Sequence, residues 1–159
     1  MGLLQIINSK IQKTFNGNQR TRNLMIGRAL DYALETIAGV SSLKEREPTI
    51  EDARSAVLAS STACGRVARC AEGYLIDQGV YGVVFHSLTG HYVILDTHTG
   101  LLHDLECYAG CASKESIPIW KRDMEISSRG GFPEVYDKVK EQYAQKWLIQ
   151  RELFLDSMT

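Results

Sequence analysis

The apolar period of this chain changes at Gly79, and that change limits the folds open to it. Before Gly79 apolar residues recur three and four apart, as on one face of a helix; after it they recur at the two-residue period of strands. From Pro133 helical spacing returns. A chain that runs from helices to strands and back to helix fits the α+β class, with helices packed around a small antiparallel sheet.

Leu3, Leu4, Ile7, Ile11 and Phe15 predict a first amphipathic helix, broken at Asn16-Gly17-Asn18. Ile26, Leu30, Ala33, Leu34 and Ile37 predict a second, closed by Gly39. Pro48-Thr49 opens a third, with Thr49 as its N-cap and Glu51 and Asp52 at the positive end of the helix dipole. The small and hydroxyl-bearing run Ala59 to Ala63 is expected to interrupt it. Cys64, Val67, Ala68, Ala71 and Leu75 then place a fourth helix with Cys64 at its start. Strands are predicted over Val80 to Ser87, His91 to Thr97 and Leu101 to Glu106, joined by turns at Thr89-Gly90 and His98-Thr99-Gly100. Val135, Val139, Tyr143 and Trp147 mark a final helix running to about Phe154.

The 159 residues suit one domain: N-terminal helices over 1–58, a core over 59–106, irregular loops over 107–132 and a helix over 133–156. With 18 Lys+Arg against 19 Asp+Glu the net charge is -1, which argues against nucleic acid as a partner and leaves only a local patch at Lys10, Lys13, Arg20, Arg22 and Arg28. No apolar run is long enough to span a bilayer, and the N-terminus lacks the basic start of a signal peptide. Ile6 stands where a myristoylation signal wants Ser or Thr. These features predict a cytoplasmic protein with no membrane partner. Four cysteines at this length predict reduced thiols. Neither GxxxxGK[ST] nor GxGxxG occurs, so nucleotide chemistry and a cofactor are not expected.

The informative constellation is Cys64-Gly65 at a helix start, His91 opening a strand after Gly90, and Asp104 on the next strand. A thiol enzyme needs a thiolate nucleophile, which a helix N-terminus and a nearby imidazolium favour. It also needs a histidine that meets the sulfur with one ring nitrogen while a carboxylate holds the other. A turn at His98-Thr99 would set residue 93 opposite 104 and residue 91 opposite 106, bringing Asp104 close to His91.

The segment TACGRVARCAEGYLIDQG followed by GHYVILDTHTGLLHDL resembles the papain-like and transglutaminase-like cysteine enzymes over residues 60–106. The resemblance implies a papain-like or transglutaminase-like core with Cys64 as nucleophile, His91 as general base and Asp104 orienting it. It implies amide or thioester hydrolysis or acyl transfer (peptidase, deamidase or transglutaminase chemistry) on a protein or small amide substrate. Papain-type peptidases place a Gln before the cysteine for the oxyanion hole, whereas positions 57–62 here read Val-Leu-Ala-Ser-Ser-Thr. The Cys64 N–H, with a hydroxyl of Ser60, Ser61 or Thr62, would replace it.

Plainer readings stand beside these. Cys64 shares an apolar face with Val67 and Ala71, as a core thiol of a non-catalytic helical adaptor would. Cys107 and Cys111 have a spacing that suits structural zinc in a binding module, although no metal site is the favoured reading. Asp96 is a rival carboxylate, expected instead to cap backbone N–H groups near its turn, and His98 and His103 are expected to be solvated. Tyr136, Tyr143, Trp147 and Phe154 form a stripe for the core or for a homodimer seam. Substrate contacts are expected from the segment Ala109 to Arg129, with Trp120.

Overall fold

A computed structural model describes residues 18–159. The helix expected over Leu3 to Phe15 lies outside them. The described chain is α+β: helices α1 (Gln19–Ala38), α2 (Ile50–Thr62), α3 (Cys64–Asp77), α4 (Pro118–Ser128) and α5 (Pro133–Ser157) surround an antiparallel sheet. The sheet is a meander in the order β1 (Val83–Leu88), β2 (His91–Asp96), β3 (Leu101–Asp104) and β4 (Cys107–Cys111). No described helix is long and apolar enough to cross a membrane.

Local chemistry sets the boundaries. Asn18 caps α1 by accepting from the Thr21 N–H, and Gly39 ends it at φ 69°, a left-handed conformation in which a side chain would be strained. Thr49 and Asp52 form a reciprocal capping box at α2, and Arg46 holds the Asp52 carboxyl below its usual range. The interruption expected over Ala59 to Ala63 shrinks to Ala63 alone. Ser61 and Thr62 donate their hydroxyls to the carbonyls of Val57 and Leu58, one turn back, so these residues stay helical instead of competing with the helix.

Ala29, Leu30, Ala33 and Leu34 of α1 meet Val67, Ala71 and Leu75 of α3 in the main core. Tyr143, Trp147 and Phe154 of α5 join the same core, while Tyr136 stays exposed. The sheet has two packed faces. Ile94 belongs to the main core, whereas its strand neighbour Val93 packs with Leu102, Ile117 and Ile119.

Several expectations need correction. Three strands become four, and the region 107–132 read as irregular holds β4, a short 3-10 turn at Lys114–Ser116 and α4. The third strand ends at Asp104 because Leu105-Glu106 forms the turn into β4. The first strand begins at Val83, after Gly82 at φ 82°. Cys107 and Cys111 are disulfide-bonded, against the expectation of reduced thiols, while Cys64 and Cys70 are free. Four residues apart on a straight strand the two sulfurs would not meet. Gly110, at φ 93°, curls the strand and brings the two Cα atoms to 6.4 Å.

Candidate active site

The β2–β3 register pairs Ile94 with His103, Leu95 with Leu102 and Asp96 with Leu101. It is the register that a turn at His98-Thr99 requires, and carried outward it sets 93 opposite 104. His91 and Asp104 are therefore diagonal neighbours on one face. His91 Nε2 lies 2.8 Å from Asp104 Oδ2, and both side chains are buried. With the carboxylate ionised and the ring neutral, Asp104 only accepts, which puts the ring proton on Nε2 and leaves Nδ1 its lone pair. Nδ1 is buried and has no hydrogen-bond partner.

Asp104 is itself held. Its Oδ1 accepts the backbone N–H of Glu106 at 2.8 Å, an Asx turn that closes the β3–β4 hairpin. The Glu106 carbonyl accepts from Gln150 of α5, and the Glu106 carboxylate pairs with fully buried Arg122 of α4. Arg122 Nη2 donates to Ser61 Oγ at 2.9 Å, three residues before Cys64. Burial pushes the Glu106 carboxyl up, with Arg122 opposing. These bonds tie β3, α4, α5 and the end of α2 around the His91–Asp104 pair.

Cys64, His91 and Asp104 line one cleft together with Ser60, Val67 and Tyr92. Gly65 permits the approach: a Cβ there would stand 3.3 Å from the Tyr92 ring, so the first turn of α3 rests directly on β2 beside His91. Ala63, at the N-cap, supplies no side-chain acceptor. The first helical N–H that an upstream carbonyl takes is that of Val67, bonded to Ala63 O. The first-turn amides of Cys64, Gly65 and Arg66 thus have no intrahelical partner, and the positive end of the helix dipole adds to them. Of the three hydroxyls weighed for an oxyanion site, those of Ser61 and Thr62 are committed to carbonyls of α2. Ser60 Oγ is buried in the cleft wall beside the Glu106 carboxylate, whose charged form it favours. The sulfur of Cys64 makes no hydrogen bond with Nδ1 in this conformation, but the two share the cleft.

Asp96 takes no part in this arrangement. It accepts from Arg22, Gln19 and the His98 N–H, as expected of a strand-end cap, and it removes Arg22 from the basic patch considered above. Burial works against the Asp96 carboxylate, but those donors hold its pKa below the ordinary value. His98 is exposed as expected. His103 is buried, at 1% exposure, a correction with a local cause: Nδ1 donates to Tyr108 O at 3.0 Å across the β3–β4 turn. The Cys107–Cys111 bond occupies the sulfurs that suggested zinc, and among the described residues no group of three His, Cys, Asp or Glu could hold a metal ion.

Burial lowers the His103 pKa against the Tyr108 carbonyl, Asp96 and Asp104, which favour the charged ring, with Arg22 reinforcing burial, so the folded state resists a proton that the unfolded chain takes at about 6.5. The unfolded state therefore binds more protons as pH falls through that value, and stability falls with it. The expected slope contributed by His103 is up to about 1.4 kcal/mol per pH unit below 6.5. Urea unfolding of His103→Gln beside the wild type, at pH 7.5 and pH 5.5, checks this: the variant should lose the excess acid sensitivity.

Sequence reasoning missed the Glu106–Arg122 pair and α4. Pro118 at the first helical turn and Ile119, Arg122 and Ile126 at helical spacing were the available signals. Trp120, expected on a loop, lies on α4 with its ring edge-on to His91, centroids 5.6 Å apart. No protein-family model matches the chain, and neither a curated protein nor a solved structure gives a significant match to it.

Proposed function

We propose that this chain is a cysteine-dependent hydrolase or acyl transferase acting on an amide or thioester through an acyl-enzyme at Cys64. The observation that carries the reading is the buried His91–Asp104 hydrogen bond, which leaves Nδ1 without a partner on a residue that lines one cleft with Cys64. Nδ1 would take the thiol proton as sulfur attacks the carbonyl carbon and the C–S bond forms. The oxyanion would be met by the Cys64 N–H, with the Ser60 hydroxyl turning to it from the Glu106 carboxylate. As the C–N or C–S bond to the leaving group breaks, His91 would return the proton to the departing amine or thiol. Water or an acceptor amine would then attack the thioester, give up a proton to His91 and release Cys64.

A second reading has its own support. Ile149 and Leu153, one turn apart on α5, are 59% and 64% exposed, as an adaptor or homodimer face would be. Under that reading Cys64 is packing.

Alkylation by iodoacetamide at neutral pH separates the two. Cys64 should react at least about tenfold faster than Cys70, whose thiol burial pushes up, and His91→Ala should remove most of that advantage. A Cys64 that reacts only after unfolding rejects the enzyme and leaves the adaptor.

A further inference from the structure

The cleft between Cys64 and His91 has about 10 Å³ of free space, room for one water molecule, so no substrate side chain is housed there. A substrate engaging Cys64 must lay its side chains on the adjoining surface. Where Trp120 packs on His91, a groove of about 350 Å³ is lined by Thr89, Lys114, Glu115, Trp120, Lys121 and Met124. Thr89 belongs to the turn that delivers His91, and the indole of Trp120 packs against the imidazole. Trp120 is supported from behind by Val93, Leu102, Ile117 and Ile119, so this wall is fixed. Met124, one turn further along α4, is 70% exposed, an apolar side chain with its face open to the groove. Two lysines against one glutamate make the rim net cationic.

Resting on the cysteine-enzyme reading, we infer that this groove is the subsite for an apolar, preferably aromatic, side chain of a peptide-like acyl substrate, with a carboxylate beside it facing Lys114 and Lys121. The indole and the Met124 thioether supply the apolar contact. The exposed lysines add a modest preference for an anionic neighbour, since surface charges act weakly through water.

Three peptidyl probes test it: acetyl-phenylalanyl, acetyl-glycyl and succinyl-phenylalanyl chloromethyl ketone, each normalised to its rate with glutathione. Each forms a thioether with the sulfur of Cys64 and releases chloride. The phenylalanyl probe should label Cys64 about tenfold or more faster than the glycyl probe, and the succinyl probe a few-fold faster again. Met124→Glu should collapse the phenylalanyl-to-glycyl ratio, and Met124→Leu, which keeps an apolar side chain, should retain it. Lys114→Glu with Lys121→Glu should reverse the succinyl preference. Trp120 is left intact because it supports His91.

Rapid iodoacetamide labelling of Cys64 together with a phenylalanyl-to-glycyl ratio near one overturns the subsite and leaves the cysteine-enzyme reading standing. Slow iodoacetamide labelling overturns both.

Discussion

Replacing Arg122 by Met is expected to cost about 3–5 kcal/mol of folding stability at neutral pH, read as a fall in the urea midpoint. Arg122 is fully buried, its guanidinium pairs with the Glu106 carboxylate and bonds Ser61 Oγ, and it lies 5.3 Å from the centre of the Tyr143 ring. Removing it strands a carboxylate that burial already disfavours in its charged form. The folded variant should therefore hold a proton on Glu106 at a pH where the unfolded chain, with a carboxyl pKa of about 4.3, has lost it. Because the folded state then binds more protons, the variant's deficit relative to wild type should shrink as pH falls from 7 toward 5. Pairing Arg122→Met with Glu106→Leu should recover about 2–3 kcal/mol, since the double variant buries no lone charge. A cost below about 1 kcal/mol that does not vary with pH would show the pair to be dispensable.

The same pair shows where the sequence stops being readable. Gly79, Gly90 and Gly100 mark turns, and His91 and Asp104 could be placed because the turn before Leu101 fixes the β2–β3 register, while Cys64 follows from helical spacing. The β3–β4 turn carries no such mark. Leu105 and Glu106 are both buried, and the backbone reverses there because Asp104 accepts the Glu106 N–H while Gln150 bonds the Glu106 carbonyl. A turn satisfied by tertiary partners lacks the Gly, Asn or Asp-Gly signature of a solvated one. Missing it removed β4, and without β4 neither the burial of His103 nor the Cys107–Cys111 bond could be foreseen. Alternation along a strand also misleads when both faces of the sheet are covered, as Ile94 and Val93 are here.

The position of the disulfide bears on the candidate site. Cys107 is the register partner of Asp104, so the bond closes the strand that packs against the residue holding His91. The main support of Asp104 nevertheless comes from elsewhere: its Oδ1 is fixed by a backbone N–H, and that backbone by α5. The pair of β2 and β3 residues is thus braced by three helices whose apolar faces also form the core, which is why His91 and Asp104 are among the buried polar groups of the described residues.

Asp104→Ala should slow acylation of Cys64 by p-nitrophenyl acetate by about a hundredfold or more, followed as nitrophenolate release with Cys70 alkylation as the folding control. The instructive variant is Asp104→Asn. One carboxylate oxygen of Asp104 accepts the Glu106 N–H and the other faces His91 Nε2. An asparagine has only one oxygen. Turned to Glu106 it presents its NH₂ to Nε2, which must then accept, so the ring proton moves to Nδ1 and the lone pair facing the cleft is lost. Turned the other way it sets its NH₂ against the Glu106 N–H and breaks the hairpin turn. Asn should therefore fare about as badly as Ala, although it is nearly isosteric with Asp. In a His91→Ala background neither substitution should lower the rate further, because residues that act as one unit do not add. Wild-type acylation by Asp104→Asn, or an undiminished effect of Asp104→Ala without His91, would detach Asp104 from the imidazole and reduce their hydrogen bond to a structural contact.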